Sequence, residues 1–287
     1  MHIPDGYLGP KTCALFYIFM FPVWSASVRR VEKEVSARGT ALFAFAASFA
    51  FVIMMFNFPV PGGTSGHIVG SALLAITLGP WYGCMAATLA LFLQAVLFAD
   101  GGITAFGANS FNMAFLMSFS GYYLYRLFAA GAPGNRRRFA AAFAAAYIAV
   151  NIAALAAAIE LGVQPAIEHD VMGRPLYSPY PMAVSIPAMM VPHLLFFGPV
   201  EGIGTALIAG WLARAPARPA GWNVVLPATT RAGRAPLRAL WVLLFITIIL
   251  TPLGLIGLKG TPWGEWGKEE FSRVVGRGAT CQRACHG

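Results

Sequence analysis

Long apolar runs separated by short polar breaks fill most of the chain. A bilayer crossing needs about 20 mostly apolar residues. The pattern predicts such segments at roughly 12–28, 40–57, 66–80, 81–98, 108–128, 139–160, 183–213 and 239–258. The third is short, carries Gly66 and Gly70, and ends at Gly79-Pro80, so by length it fits a re-entrant segment as well as a crossing. The Arg-, Pro- and Ala-rich stretch 214–238 reads as a cytoplasmic linker. It divides the chain into a body at 1–213 and a last span with an extracytoplasmic tail at 239–287. The expected fold is an all-α polytopic membrane protein: a seven-span bundle plus one additional C-terminal span, with no soluble domain and no internal repeat.

Composition agrees. Of 287 residues, 58% are apolar and 11% charged, against about 25% charged in soluble domains. So little charge cannot cover a globule of this size, which excludes a soluble enzyme. The apolar content excludes a disordered chain, and four cysteines are too few for a disulfide scaffold. In a soluble protein a net charge of +9 would suggest nucleic acid; here it reads as basic loops on one membrane face, with no nucleic-acid partner.

Those loops set the topology. With eight crossings, one face holds Arg29, Arg30, Lys33 and Arg38, then Arg126 and Arg136 to Arg138, then Arg214, Arg218, Arg231, Arg234 and Arg238. Up to residue 258, the other face holds Lys11 and Arg174. Without a crossing at 66–80, Arg136 to Arg138 would move to the face opposite Arg29 and Arg30. The positive-inside rule therefore favours a third crossing and an extracytoplasmic amino terminus. The first basic residue is Lys11 and the chain opens His2-Ile3-Pro4-Asp5-Gly6 instead of a basic n-region and an A-x-A site, so no cleavable signal peptide is expected and Met1 should survive.

Several chemistries lack their minimal parts. The sequence contains no G-x-x-x-x-G-K-[ST] for nucleotide, no H-E-x-x-H and no G-x-S-x-G. The expectation is a transport subunit that is not an enzyme, and uphill movement would draw its energy from a partner. Apart from Glu201, no paired acids are expected deep in the spans.

The chain opens Met1-His2. A terminal amine, the amide nitrogen of residue 2 and the His2 imidazole can chelate one ion through fused rings. Deprotonating the amide requires a metal that favours in-plane nitrogen, which points to Ni(II) or Cu(II), with Co(II) also open. Pro4-Asp5-Gly6 is a turn signal that can fold this end back toward the protein. A fourth nitrogen is available from His67, in Pro61-Gly62-Gly63-Thr64-Ser65-Gly66-His67, at the outer mouth of span three on the same face as Met1. The glycines allow close backbone approach. The plainer readings are a solvated terminal histidine and a helix-entry histidine bonded to a neighbour.

Met1-His2-Ile3-Pro4-Asp5-Gly6-Tyr7-Leu8, followed by Pro61 to His67, resembles the CbiM/NikM family. These are the substrate-binding (S) components of energy-coupling-factor (ECF) importers for nickel and cobalt. Gly107-Ala108-Asn109-Ser110-Phe111-Asn112-Met113 is also similar, as is His193 with Glu201-Gly202, and the likeness spans roughly 1–212. It implies that the amine of Met1, the amide and ring of His2 and the ring of His67 hold a Ni(II) or Co(II) ion as transported substrate. It implies a prokaryotic cytoplasmic membrane and a complex with an ECF transmembrane coupling subunit and two cytoplasmic ATP-binding-cassette ATPases, which would answer the missing nucleotide motif. It also implies a small accessory membrane subunit in some members, and inward release by tilting in the bilayer. Residues 237–271 look like the carboxy-terminal extension of longer members, although no further span follows and the tail 276–287 matches nothing in the family.

Other residues carry two readings each. Ser65, Asn109 and Asn112 can orient the ligands or serve capping and interhelical hydrogen bonds. His193 and Glu201, among Pro187, Pro192 and Pro199, are intramembrane ionisable residues, either functional or a structural polar pair in a bent helix. Ala141, Ala145, Ala149, Ala153 and Ala157 form a small-residue stripe for internal packing or for sliding against the coupling subunit. Glu168, His169 and Asp170 can gather ions or simply be a solvated loop. The Cys281, Cys285 and His286 tail resembles no metal site, and Cys13 and Cys84 read as small apolar residues. Two other classes compete: a secondary metal-ion permease driven by an ion gradient through His193 and Glu201, and an intramembrane metal enzyme, which would need a base near His67.

Overall fold

The computed structural model describes residues 1–34, 37–60, 64–131 and 135–213. The linker 214–238, the expected last span and the Cys/His tail lie outside the described residues.

The body is helical. α1 (Pro10–Glu34) starts on a proline whose missing N–H costs nothing in a first turn, and α2 (Ala37–Met54) follows. A small hairpin comes next, β1 (Phe58–Val60) antiparallel to β2 (Thr64–Gly66), with Phe58 opposite Gly66. It is a local departure from the all-α expectation, and Pro59 biases Phe58 before it toward extended backbone. Then come α3 (Ser71–Leu78), α4 (Pro80–Phe98) and α5 (Phe106–Asn109). α5 runs through a π-helical stretch, Ser110–Leu116, into α6 (Met117–Ala129). α7 (Asn135–Ile167) is the longest element. α8 (Met182–Pro192) passes through a second π-helical stretch, His193–Phe197, into α9 (Gly198–Leu212).

Among the described residues four helices are long and apolar enough to cross a membrane: Pro10–Lys33, Pro80–Phe98, Arg136–Ile167 and Met182–Leu212. Thr40–Met54 is a shorter apolar helix. The segment 66–80 contributes only eight helical residues, about 12 Å at 1.5 Å per residue against about 30 Å of hydrocarbon. Ser71 to Thr77 are all buried, so protein surrounds this short piece. Non-helical backbone at membrane depth is tolerated under that condition.

α7 is the central post, packed on α6, α8 and α9. The alanine stripe is buried along its full length, Ala141 at 4% exposure and Ala145, Ala149, Ala153 and Ala157 at 0%, so it serves internal packing. Large apolar side chains cover the outside instead, including Ile18, Phe21, Leu97 and Leu195. An apolar exterior of this extent is what a lipid-facing surface requires. Cys13 and Cys84 are free and buried.

Candidate metal site

Chain termini ordinarily fray, but here the first nine residues fold back into the bundle. Met1 is 4% exposed and Ile3 1%. The Ile3 N–H donates to Asn109 Oδ1 at 2.8 Å, and the Ile3 carbonyl accepts from Asn109 Nδ2 at 3.0 Å and from the Gly102 N–H at 2.9 Å. The Asp5 carboxylate accepts the N–H of Ile103 at 3.2 Å and of Thr104 at 2.8 Å. Farther along, the Tyr7 carbonyl accepts from the Ser178 N–H, and the Gly9 N–H donates to Gln164 Oε1. Each such bond is worth about 0.5–1.5 kcal/mol net, so the set of them, more than any single bond, fixes the terminus.

The loop carrying His67 is gripped from the other side. β2 ends at Gly66, where a Cβ would run into the Phe197 ring, so only glycine fits. The Glu201 carboxylate is 0% exposed; its two oxygens accept the N–H groups of Val69 at 2.8 Å and Gly70 at 3.0 Å. That carboxylate therefore satisfies two otherwise orphaned donors at the start of α3, where Gly70 takes the left-handed φ of 75° that opens the helix.

Between these two grips the His2 and His67 rings stack, with centroids 4.6 Å apart and planes 20° apart. His67 Nδ1 lies 3.2 Å from the Ile68 carbonyl. A carbonyl only accepts, so Nδ1 holds the proton and Nε2 carries the lone pair. That Nε2 is buried with no hydrogen-bond partner. His2 Nδ1 is 3.1 Å from Asp100 Oδ1, and His2 Nε2 is buried without a partner. Burial pushes the Asp100 carboxyl up, but the His2 hydrogen bond and charge, with the terminal ammonium, outweigh it and hold the group below its usual range. The amino terminus is within electrostatic reach of His67 and His193 as well. Among the described residues no three His, Cys, Asp or Glu side chains gather as a metal group.

The remaining candidates separate. Asn109 clasps Ile3, whereas Asn112 Nδ2 turns away to Glu160 Oε2 at 2.8 Å. The Ser65 side chain lies outside the described residues; its backbone pairs with Pro59. His193 and Glu201 do not bond to each other: His193 Nδ1 is 2.7 Å from the Met189 carbonyl, and both Glu201 oxygens face the His67 loop. Glu168 pairs with Lys11 at 3.6 Å and Asp170 with Arg174 at 2.8 Å, away from the two stacked rings. Sequence reading missed Asp100, Gln164 and Glu160. The last is a second buried acid, at 6% exposure, inside an α7 that runs seven residues past the expected end at 160. Asp100 stands before Gly101 and Gly102, and nothing in the sequence aims it at a ring 98 positions away.

The family model for the cobalt uptake substrate-specific transmembrane region, CbiM, matches residues 2–219. The fused nickel transport protein NikMN of Rhodobacter capsulatus is 46% identical over 282 residues, covering 97% of this chain and 79% of that protein. The cobalt transport protein CbiM of a Roseiflexus species is 33% identical over 135 residues, 46% of this chain and 54% of its own. A solved structure described as a transition metal transporter superposes with a TM-score of 0.70 at 48% identity, over 74% of this chain and 92% of that one. The chain belongs to the CbiM family.

Proposed function

We propose that the chain is the substrate-capture subunit of an ATP-driven ECF importer for Ni(II) or Co(II). The relatives named for nickel and cobalt transport support the cargo. One observation carries the site reading: a buried amino terminus beside two stacked imidazoles, one with an unpartnered lone pair. The amine of Met1, the deprotonated amide of His2, the His2 ring and His67 Nε2 supply four nitrogens in a plane, the geometry Ni(II) favours. The fused chelate closes a six-membered ring through the metal, amide nitrogen, Cα, Cβ, Cγ and Nδ1. The ion therefore takes His2 Nδ1, the nitrogen that lies 3.1 Å from Asp100 Oδ1. Asp100 then stands as a nearby carboxylate that favours a dication, Asn109 fixes the amide's neighbour, and Glu201 fixes the His67 loop.

In this reading the chain supplies capture and release, and a coupling subunit with two ATPases supplies energy. The short α3 with the extended residues before it completes the third pass, which keeps the amino terminus extracytoplasmic and the Arg-rich loops cytoplasmic. A permease relay through His193 and Glu201 is poorly supported, because both carboxylate oxygens already serve backbone N–H groups. The test is nickel uptake by cells expressing this chain with and without the coupling and ATPase genes. Efficient uptake should require all of them; undiminished uptake by this chain alone would restore the permease reading.

A further inference from the structure

His67 and His193 share one chemical state. They are 2% and 0% exposed. Each has its Nδ1 against a backbone carbonyl, Ile68 for the first and Met189 for the second. Each therefore turns the lone-pair nitrogen Nε2, the metal-binding form of the ring, into the interior. Both Nε2 atoms are buried with no hydrogen-bond partner. Burying an acceptor unbonded is costly, and both rings stand within electrostatic reach of the amino terminus.

Side chains of one helical rod tie the two together. The Phe197 ring lies on Gly66, next to His67, and its centroid is 5.1 Å from that of His193. Farther along the same rod, Glu201 holds Val69 and Gly70 on the other side of His67. His193 also lies within electrostatic reach of His67 and of the amino terminus. It opens the π-helical stretch directly after Pro192, and such widened turns recur at functional sites.

We propose that His67 and His193 form a second, weaker site for the divalent cation, occupied when the amino-terminal chelate lets go. This rests on the capture reading above. His67 keeps its hold through Nε2, and His193 Nε2 replaces the nitrogens of Met1 and His2. The His2 amide nitrogen regains one proton from water as it leaves the ion. His193 gives none up, because its proton sits on Nδ1. The ion passes from four nitrogens with an anionic amide to two neutral imidazoles and water, a far looser hold and so a step toward release.

The test is titration of the purified full chain with Ni(II) alone. His2→Ala removes the chelate; the variant should bind one ion weakly, with the faint bands of octahedral Ni(II) instead of a planar spectrum. Adding His193→Ala or His193→Phe should weaken that residual site by about tenfold or more, the scale on which losing one metal-site group acts. The phenylalanine keeps a ring against Phe197, so a loss there is not a packing failure. No residual site in His2→Ala, or one that both His193 substitutions leave unchanged, would overturn the proposal. A planar spectrum surviving His2→Ala would overturn the capture reading itself, and this proposal with it.

Discussion

Two regions of the molecule place a histidine beside a carboxylate, and they differ in what is left over. In the loop 168–175, Asp170 accepts the N–H groups of Met172 at 2.9 Å and Arg174 at 2.8 Å and pairs with the Arg174 guanidinium. Those bonds, the Arg174 N–H foremost, hold its carboxyl below the ordinary range. His169 sits in solvent with Nδ1 turned to its neighbour's carbonyl. That turn has satisfied itself, and water serves the rest. At the amino terminus the side chains spend their bonds on backbone, Asn109 on Ile3 and Glu201 on Val69 and Gly70, while the ring nitrogens of His2 and His67 stay buried and unpartnered at Nε2. Binding capacity is what local structure leaves unused, and burial keeps water from using it up.

The largest effect that can break this contrast is at the ligands. His2→Ala and His67→Ala should each weaken Ni(II) binding by more than about 100-fold, since supporting residues alone are worth about 10–100-fold; calorimetry on purified protein measures it, and a loss below tenfold in either would contradict the site. Next comes the clasp. Asn109→Ala removes both bonds to Ile3 and leaves a buried N–H unpaired, a cost of about 1–3 kcal/mol. Affinity should fall by about tenfold, with faster proteolysis of residues 1–9. Smaller again is Glu201→Gln, whose amide nitrogen cannot accept one of the two N–H groups it faces. Affinity should drop severalfold, and thermal unfolding should come a few degrees earlier. His169→Ala should shift affinity by no more than about twofold, the usual range for surface substitutions. A larger shift would mean that the outer loop joins the site.

The sequence displayed part of this. The opening Met1-His2 was legible because the chemistry needs a free amine at position 1, and His67 because its glycine-rich approach allows a backbone to come close. The apolar runs gave the long helices to within a few residues at most ends, since hydrophobic length is a local property. The partners of Glu201 were not legible. Its target N–H groups lie 131 and 132 positions away, and a carboxylate that caps a distant helix looks in sequence like one awaiting a proton. Asp100 was hidden for the same reason. The short α3 was half visible: Gly70 and Gly79-Pro80 marked its ends, but only packing shows that protein encloses it on every side.

The central claim is that the terminal amine is a ligand. The direct test is metal content and absorption of purified protein beginning with a native Met1, beside a copy with three alanines added before it, which carries the amine out of chelating reach of the His2 ring. The account predicts one Ni(II) per chain with a planar ligand-field band in the first, and loss of both in the second. Equal metal and the same band in the extended copy would contradict it.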